Sequence, residues 1–219
     1  DRDIYVANGF ISQGSVKDYC THYWRQDIYM GSSTHDPAIV AMQACIPANK
    51  DDMSWNAYEH NCLLMNEGGE GFVNVAFLMG VAFEFDSRCV VSDDLDGDGR
   101  MDLIVYRHSI GTGLPFEIYA LENQLKTDRH WIGVRLNDEQ GGRSVMGASV
   151  VLQSAEGQQI AKIVSGDSFY SQHAPTVHFG LGSQTSVESI DVVWIDGTRQ
   201  TLKNPQIDRY HAMRASGSE

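Results

Sequence analysis

The stretch Val90-Val-Ser-Asp-Asp-Leu-Asp-Gly-Asp-Gly-Arg-Met-Asp-Leu-Ile-Val105 decides how this chain is read. Its centre puts side-chain oxygens at Asp94, Asp96 and Asp98, with Asp102 four residues later. In a tight loop, alternate residues can turn their carboxylates toward one point. Gly97 and Gly99 let the backbone curl there, because glycine accepts positive φ. The backbone carbonyl of Arg100 stands where such loops lend an oxygen of their own. With water, these positions reach the roughly six to eight oxygens that Ca2+ takes. Without a cation, four carboxylates at this spacing repel one another. Magnesium suits the set less well, since it keeps more of its own water. A solvated acidic turn with no ion is the bland alternative. The loop starts as an EF-hand loop does, but its ninth position is Asp and its twelfth is Val105. Its flanks are strand-like rather than helical, so the spacing predicts a loop joining two strands of one sheet.

Working outward, short β-type runs recur. Asp3-Ile-Tyr-Val-Ala7 ends at the turn Asn8-Gly9. Asn61-Cys-Leu-Leu-Met65 is followed by the turn Asn66-Glu-Gly-Gly69, then by Phe72-Val-Asn-Val75, Cys89-Val-Val91 and Leu103-Ile-Val-Tyr106. The four runs after residue 60, at near-regular spacing, predict one sheet of a repeating unit such as a propeller blade. Asp3-Ile-Tyr-Val6 matches Asp102-Leu-Ile-Val105 in register, which makes residues 1–9 the tail of an earlier unit. Residues 10–57 interrupt this pattern with Gly14-Ser15, Gly31-Ser-Ser-Thr34, Pro37 and Pro47, and read as a long insertion. A helix over 37–45 fits inside it, with Pro37 in the first turn where its missing N–H costs nothing.

The character changes near Asn123–Asp128. His130-Trp-Ile-Gly-Val-Arg-Leu136, Ala148–Gln153, Ile160–Val164, Val177-His-Phe179 and Ile190-Asp-Val-Val-Trp194 alternate in the manner of strands. Asp196-Gly197 turns a hairpin back into Gln200-Thr-Leu202. Strands this dense, without helical period, predict a small β-sandwich or barrel. The expected organisation is therefore all-β: a partial propeller portion over 1–125, a β-sandwich over 126–210 and a tail over 211–219. Trp131 and Trp194 are expected in its core.

A net charge of −13 on 219 residues argues against nucleic acid, which needs a basic surface. No apolar run approaches the roughly 20 residues that span a bilayer. The opening Asp1-Arg2-Asp3 is not a signal peptide, although a mature or partial chain would have lost one. Cys20, Cys45, Cys62 and Cys89 form no CxxC pair, so a zinc site is not expected. Four cysteines allow three pairings; Cys20 with Cys45, in one irregular segment, is preferred, with free thiols as the alternative.

The stretch from Val90 to Val105 resembles an FG-GAP or VCBS-type repeat, and residues 61–75 are similar to the strand pair that accompanies such repeats. His130–Leu136, Gly147-Ala148, Ser165–Gln172, His178–Gly182 and Val187–Trp194 resemble an ASPIC/UnbV domain. Together, with looser matches at Tyr23–Gln26 and Trp55-Asn56, they resemble the C-terminal part of a cartilage acidic protein-like family member. That resemblance implies β-propeller blades with calcium loops. Asp94, Asp96, Asp98, Asp102 and the Arg100 carbonyl would be the ligands, and Asp3 the last ligand position of an earlier loop. It implies an extracellular or periplasmic location, an adhesive role, and other chains or further sequence completing the propeller. It implies no agreed chemistry.

The residues themselves give little reason to expect catalysis. Ser168 and Ser171 near His173 suggest a nucleophile and base, but no G-x-S-x-G elbow is present and Asp167 is too close in sequence to imply a triad. The segment holding Asp167, Ser168, Phe169, Tyr170, Gln172 and His173 is the second candidate surface, suited to a protein or carbohydrate partner. A loop that only braces the sandwich is the alternative. Two functions stand: a calcium-stabilised adhesion or scaffolding module, and an accessory subunit or fragment of a larger secreted or membrane-associated complex.

Overall fold

The computed structural model describes residues 2–12, 54–108, 116–137 and 145–215. The expected helix over 37–45 and the expected Cys20–Cys45 pair lie outside them. Among the described residues there is no helix, and Cys62 and Cys89 are free thiols. The chain divides into two compact units, one of Asp1–Val90 with Ile104–Tyr119, the other of Val91–Leu103 with Ala120–Glu219. The Asp94–Asp102 loop falls within the second of these units.

In the first unit, β1 (Ile4–Val6), β2 (Cys62–Asn66) and β3 (Phe72–Asn74) form an antiparallel sheet in that order. Ile11 and Trp55 exchange backbone hydrogen bonds of 2.9 Å, which ties Ile11 of the N-terminal segment to the residues leading into β2. Buried Asn61 closes the base of this sheet. Its amide donates to the Tyr5 hydroxyl at 2.9 Å and to Ser87 Oγ at 2.8 Å, and its Oδ1 accepts from Asn8 N at 2.8 Å. Buried Asp86 likewise accepts from Ser12 N and Ser12 Oγ, both at 2.7 Å. A second sheet, whose strands contribute residues to both units, has the order β4 (Ser87–Asp93), β5 (Asp102–Arg107) and β6 (Glu117–Leu121). The four runs expected in a single sheet thus fall in two, and β6 was not foreseen. Its Glu-Ile-Tyr-Ala-Leu alternation is short and begins beside a Gly-rich segment that masks the period.

In the second unit, β7 (His130–Asn137), β10 (Thr176–Gly182) and β13 (Tyr210–Arg214) form one sheet in the order β10-β7-β13. The other has β8 (Ser149–Ser154), β9 (Gly157–Lys162), β11 (Ser189–Val193) and β12 (Arg199–Lys203) in the order β12-β11-β8-β9. These are two open sheets rather than a closed barrel. The period-2 pattern explains them. Ile132, Val134 and Leu136 of β7 and Val177, Phe179 and Leu181 of β10 point inward. Val150 and Leu152 of β8 and Ile190 and Val192 of β11 join them in one core, with Trp194. Burying side chains of this size contributes about 1.5–3 kcal/mol each before entropy is counted. The Asp196-Gly197 hairpin forms as predicted, with Gly197 at φ 83 and Trp194 N donating to Thr198 O at 2.9 Å. The segment expected as a tail from 211 is not one up to residue 214. Tyr210–Arg214 pairs in parallel with β7, where backbone pairing rather than apolar content recruits it.

Candidate metal site

The loop between β4 and β5 is built on buried Asp94. Its Oδ1 accepts from Gly97 N at 2.8 Å and Asp98 N at 3.0 Å, and its Oδ2 accepts from Gly99 N at 2.9 Å. Three consecutive backbone N–H groups therefore wrap one carboxylate. The curl needs positive φ at Gly97 (83°) and Gly99 (87°), as the sequence predicts. Asp102 closes the loop: its Oδ2 accepts from Leu95 N at 2.9 Å and its Oδ1 from Asn123 N at 2.8 Å. Carboxylate oxygens of Asp94, Asp96 and Asp102 lie within 4.8 Å of one another. Asp94 and Asp102 are buried while Asp96 is exposed. An all-oxygen set with one open side fits a hard cation such as Ca2+, which tolerates irregular geometry and completes its shell with water.

Asp98 does not join the other three. Its Oδ1 accepts from Arg100 N at 2.8 Å and its Oδ2 pairs with the Arg100 guanidinium. That guanidinium is anchored by Nε donating to the Asn123 carbonyl at 2.5 Å, so the fourth expected carboxylate is neutralised beside the cluster. Asp3, the expected remnant of an earlier loop, receives Asn66 N on its Oδ1 at 2.8 Å.

The loop rests on side chains that the sequence did not assign to the site. On the outer face of the β10-β7-β13 sheet, Gly133 of β7 pairs with His178 of β10 and with Tyr210 of β13. A Cβ at Gly133 would lie 2.1 Å from the Tyr210 ring, so only glycine lets that ring lie flat over β7. Trp131 packs 4.8 Å from Tyr210 and stacks 5.1 Å from His178, while the Arg135 guanidinium sits 4.2 Å over Tyr210. Trp131 is held at the strand start by Asp208, whose Oδ1 accepts from Trp131 N at 3.1 Å and whose Oδ2 meets His130 Nδ1 at 2.8 Å. Trp131 is thus on the outer face, not in the core where it was expected with Trp194.

Gly99 meets this platform directly. A Cβ there would lie 1.9 Å from Trp131 Nε1. His178 Nε2 lies 3.0 Å from the Gly99 carbonyl; a carbonyl can only accept, so Nε2 carries the hydrogen. Burial pushes the His178 pKa below the ordinary imidazole value, outweighing the Gly99 bond and the charges of Asp94 and Asp93, which act in the opposite sense. The buried Tyr210 hydroxyl lies beside Asp94 without a well-aligned hydrogen bond. Burial, then the Asp94 and Asp93 carboxylates, push its pKa far up and keep it un-ionised. The signal for Trp131 and His178 lay in the strand period: with 132, 134, 177 and 179 inward, both must face outward, whereas Tyr210 lies in a segment without a strong pattern.

The second candidate surface is also assembled. Asp167 Oδ1 accepts from His173 N at 3.2 Å and its Oδ2 meets His173 Nδ1 at 3.0 Å. The Ser171 hydroxyl donates to Ser168 Oγ at 2.8 Å. The loop so closed displays Phe169 and Tyr170, whose rings touch at 4.2 Å and which are 60% and 80% exposed, with Tyr170 at φ 56. Gln172 reaches Met146 Sδ at 3.7 Å.

Residues 138–219 match the family described as ASPIC and UnbV, which supports that part of the resemblance. No curated protein matches the chain at a significant level.

Proposed function

We propose that this chain is a calcium-binding adhesion or scaffolding module that works outside the cytoplasm, in the extracellular or periplasmic space, as a binder rather than an enzyme. The observation that carries the reading is the convergence of Asp94, Asp96 and Asp102 oxygens within 4.8 Å on a loop already folded by backbone N–H donors. Asp94, Asp96 and Asp102 would hold the ion, with Asp98 and the Arg100 carbonyl as further donors if Asp98 is released from Arg100. The cation would supply charge neutralisation and so stability, because it binds the native loop and not the unfolded chain. Calcium is abundant outside the cytoplasm, and modules there bind it at about 10⁻⁴–10⁻³ M. The Phe169–Tyr170 loop supports recognition of a protein or carbohydrate partner, since exposed aromatics beside polar groups suit such contacts.

The test is thermal unfolding with and without calcium. At calcium about a hundredfold above Kd, stabilisation of about 2.7 kcal/mol is expected, lost in chelator and absent in Asp96→Ala. Identical melting of both proteins in both conditions would remove the calcium reading.

The second reading, an accessory subunit or part of a larger complex, draws on one observation in the N-terminal unit. Met65 and Val73 face each other across β2 and β3, and both are exposed beside exposed Phe72. Native mass spectrometry of the purified species distinguishes the readings: a stoichiometric partner favours the second, a lone chain of 24.3 kDa the first.

A further inference from the structure

The Asp94–Asp102 loop touches one side chain from each strand of the β10-β7-β13 sheet: Trp131 of β7 under Gly99, His178 of β10 on the Gly99 carbonyl, and Tyr210 of β13 beside Asp94. The three are also packed on one another, at 4.8 Å between Trp131 and Tyr210 and 5.1 Å between Trp131 and His178. A loop of this kind could be self-contained, its shape set by its own backbone bonds. Here its glycine apex is instead fixed from outside. From this geometry we infer that Trp131, His178 and Tyr210 are positioning residues of the cation site, so that the C-terminal sheet sets the affinity of the loop and ion binding is felt in that sheet. The inference rests on the calcium reading above.

The physical route is short. His178 fixes the Gly99 carbonyl, and Gly99 N is one of the three donors that orient the Asp94 carboxylate. Releasing the Gly99 peptide frees Asp94 Oδ2 from that constraint. Trp131 blocks the volume into which the apex would relax. Tyr210 places its buried hydroxyl beside Asp94. The site is thereby pre-organised, and a pre-organised site loses less on binding.

The experiment is calcium titration by calorimetry of the full chain and of His178→Leu, His178→Gln, Trp131→Phe and Tyr210→Phe, with circular dichroism in chelator to show that each is folded. Loss of one positioning hydrogen bond should weaken binding about three- to tenfold in His178→Leu. His178→Gln, which keeps a donor, should recover much of it. Calcium should also change tryptophan emission in the parent, and this change should vanish in Trp131→Phe although Trp24, Trp55 and Trp194 remain. Calcium binding with one affinity in the parent and in the folded His178 and Tyr210 variants would overturn the inference and leave the calcium reading standing. No binding by the parent would overturn that reading, and this inference with it. If His178→Leu does not fold, His178→Gln and Tyr210→Phe decide alone: unchanged affinity in both overturns the inference.

Discussion

Asn123 donates its backbone N–H to Asp102 Oδ1 at 2.8 Å, and its side-chain amide reaches back to the carbonyl of Met101 at 3.3 Å. The same pair of bonds recurs in the N-terminal unit. Asn66 N donates to Asp3 Oδ1 at 2.8 Å, and Asn66 Nδ2 to the Arg2 carbonyl at 3.3 Å. In each case an Asp just before or at the start of one strand ties down an Asn at or just beyond the end of the next. The match of Asp3-Ile-Tyr-Val6 to Asp102-Leu-Ile-Val105 is therefore also a match of local structure. It implies that Asp102 has a structural duty independent of any ion. Asp102→Ala leaves the N–H groups of Leu95 and Asn123 without their acceptor, at about 1–3 kcal/mol each if they stay buried. Urea unfolding in chelator should show Asp102→Ala less stable by about 2 kcal/mol or more. Asp96→Ala, at an exposed position with one 3.2 Å bond, should fall within about 0.5 kcal/mol of the parent under the same conditions. Equal losses for the two would contradict this division of labour.

Gly97 and Gly99 share a left-handed backbone but not an environment. An alanine at Gly97 meets nothing within 4 Å, whereas at Gly99 it strikes Trp131. Both substitutions carry the conformational cost of about 1–2 kcal/mol for a side chain in that region. Only Gly99→Ala adds the cost of overpacking, about 1–3 kcal/mol. Chemical unfolding should therefore rank Gly99→Ala clearly below Gly97→Ala. The double change Gly99→Ala with Trp131→Ala should narrow the gap, and a gap of the same size in the Trp131→Ala background would show that the clash is not its cause.

The loop at 165–173 separates display from bracing. Tyr170 is 80% exposed, so Tyr170→Ala should leave the melting temperature nearly unchanged, at a free-energy cost within about 0.5 kcal/mol. Asp167→Ala removes both bonds to His173 and should speed amide exchange over 168–173 while the β-sandwich core stays protected. If Tyr170→Ala lowers stability as much as a core substitution, the ring is part of the packing and not a display surface.

Most of the strands were legible because their inward residues repeat every second position over five or more residues, as in Ile132-Val134-Leu136 and Val177-Phe179-Leu181. The loop was legible because its chemistry is local: the carboxylates and glycines that shape it lie within nine residues, Asp94 to Asp102. What was not legible depends on partners distant in sequence. Tyr210-His-Ala-Met-Arg214 has no strong pattern and becomes a strand only because β7 offers a parallel edge. The pairing of Asp98 with Arg100 depends on the distant Asn123 carbonyl, which fixes the guanidinium. Gly99 packs on Trp131, a contact between residues whose spacing carries no local signal.

The part-buried His178 gives the C-terminal unit a pH dependence of definite sign. Its pKa in the folded protein is below the ordinary imidazole value near 6.5, so the unfolded chain takes up a proton first as pH falls. Between the folded and the unfolded pKa the unfolded state binds more protons, and stability rises with pH there. The contribution is complete above about pH 6.5 and is lost progressively as pH drops from that value toward the folded pKa. Tyr210 acts at the other end. Its raised pKa leaves the phenol protonated in the fold while the unfolded chain ionises near pH 10, so stability falls above about pH 10. Unfolding measured from pH 5 to 8 in chelator should show the acid loss in the parent and a smaller one in His178→Gln, which cannot take up the proton. Carboxylates elsewhere contribute to both proteins alike, so the difference between the two curves reports His178 itself. A difference that stays constant from pH 5 to 8 would mean that the His178 imidazole is not held neutral against the Gly99 carbonyl.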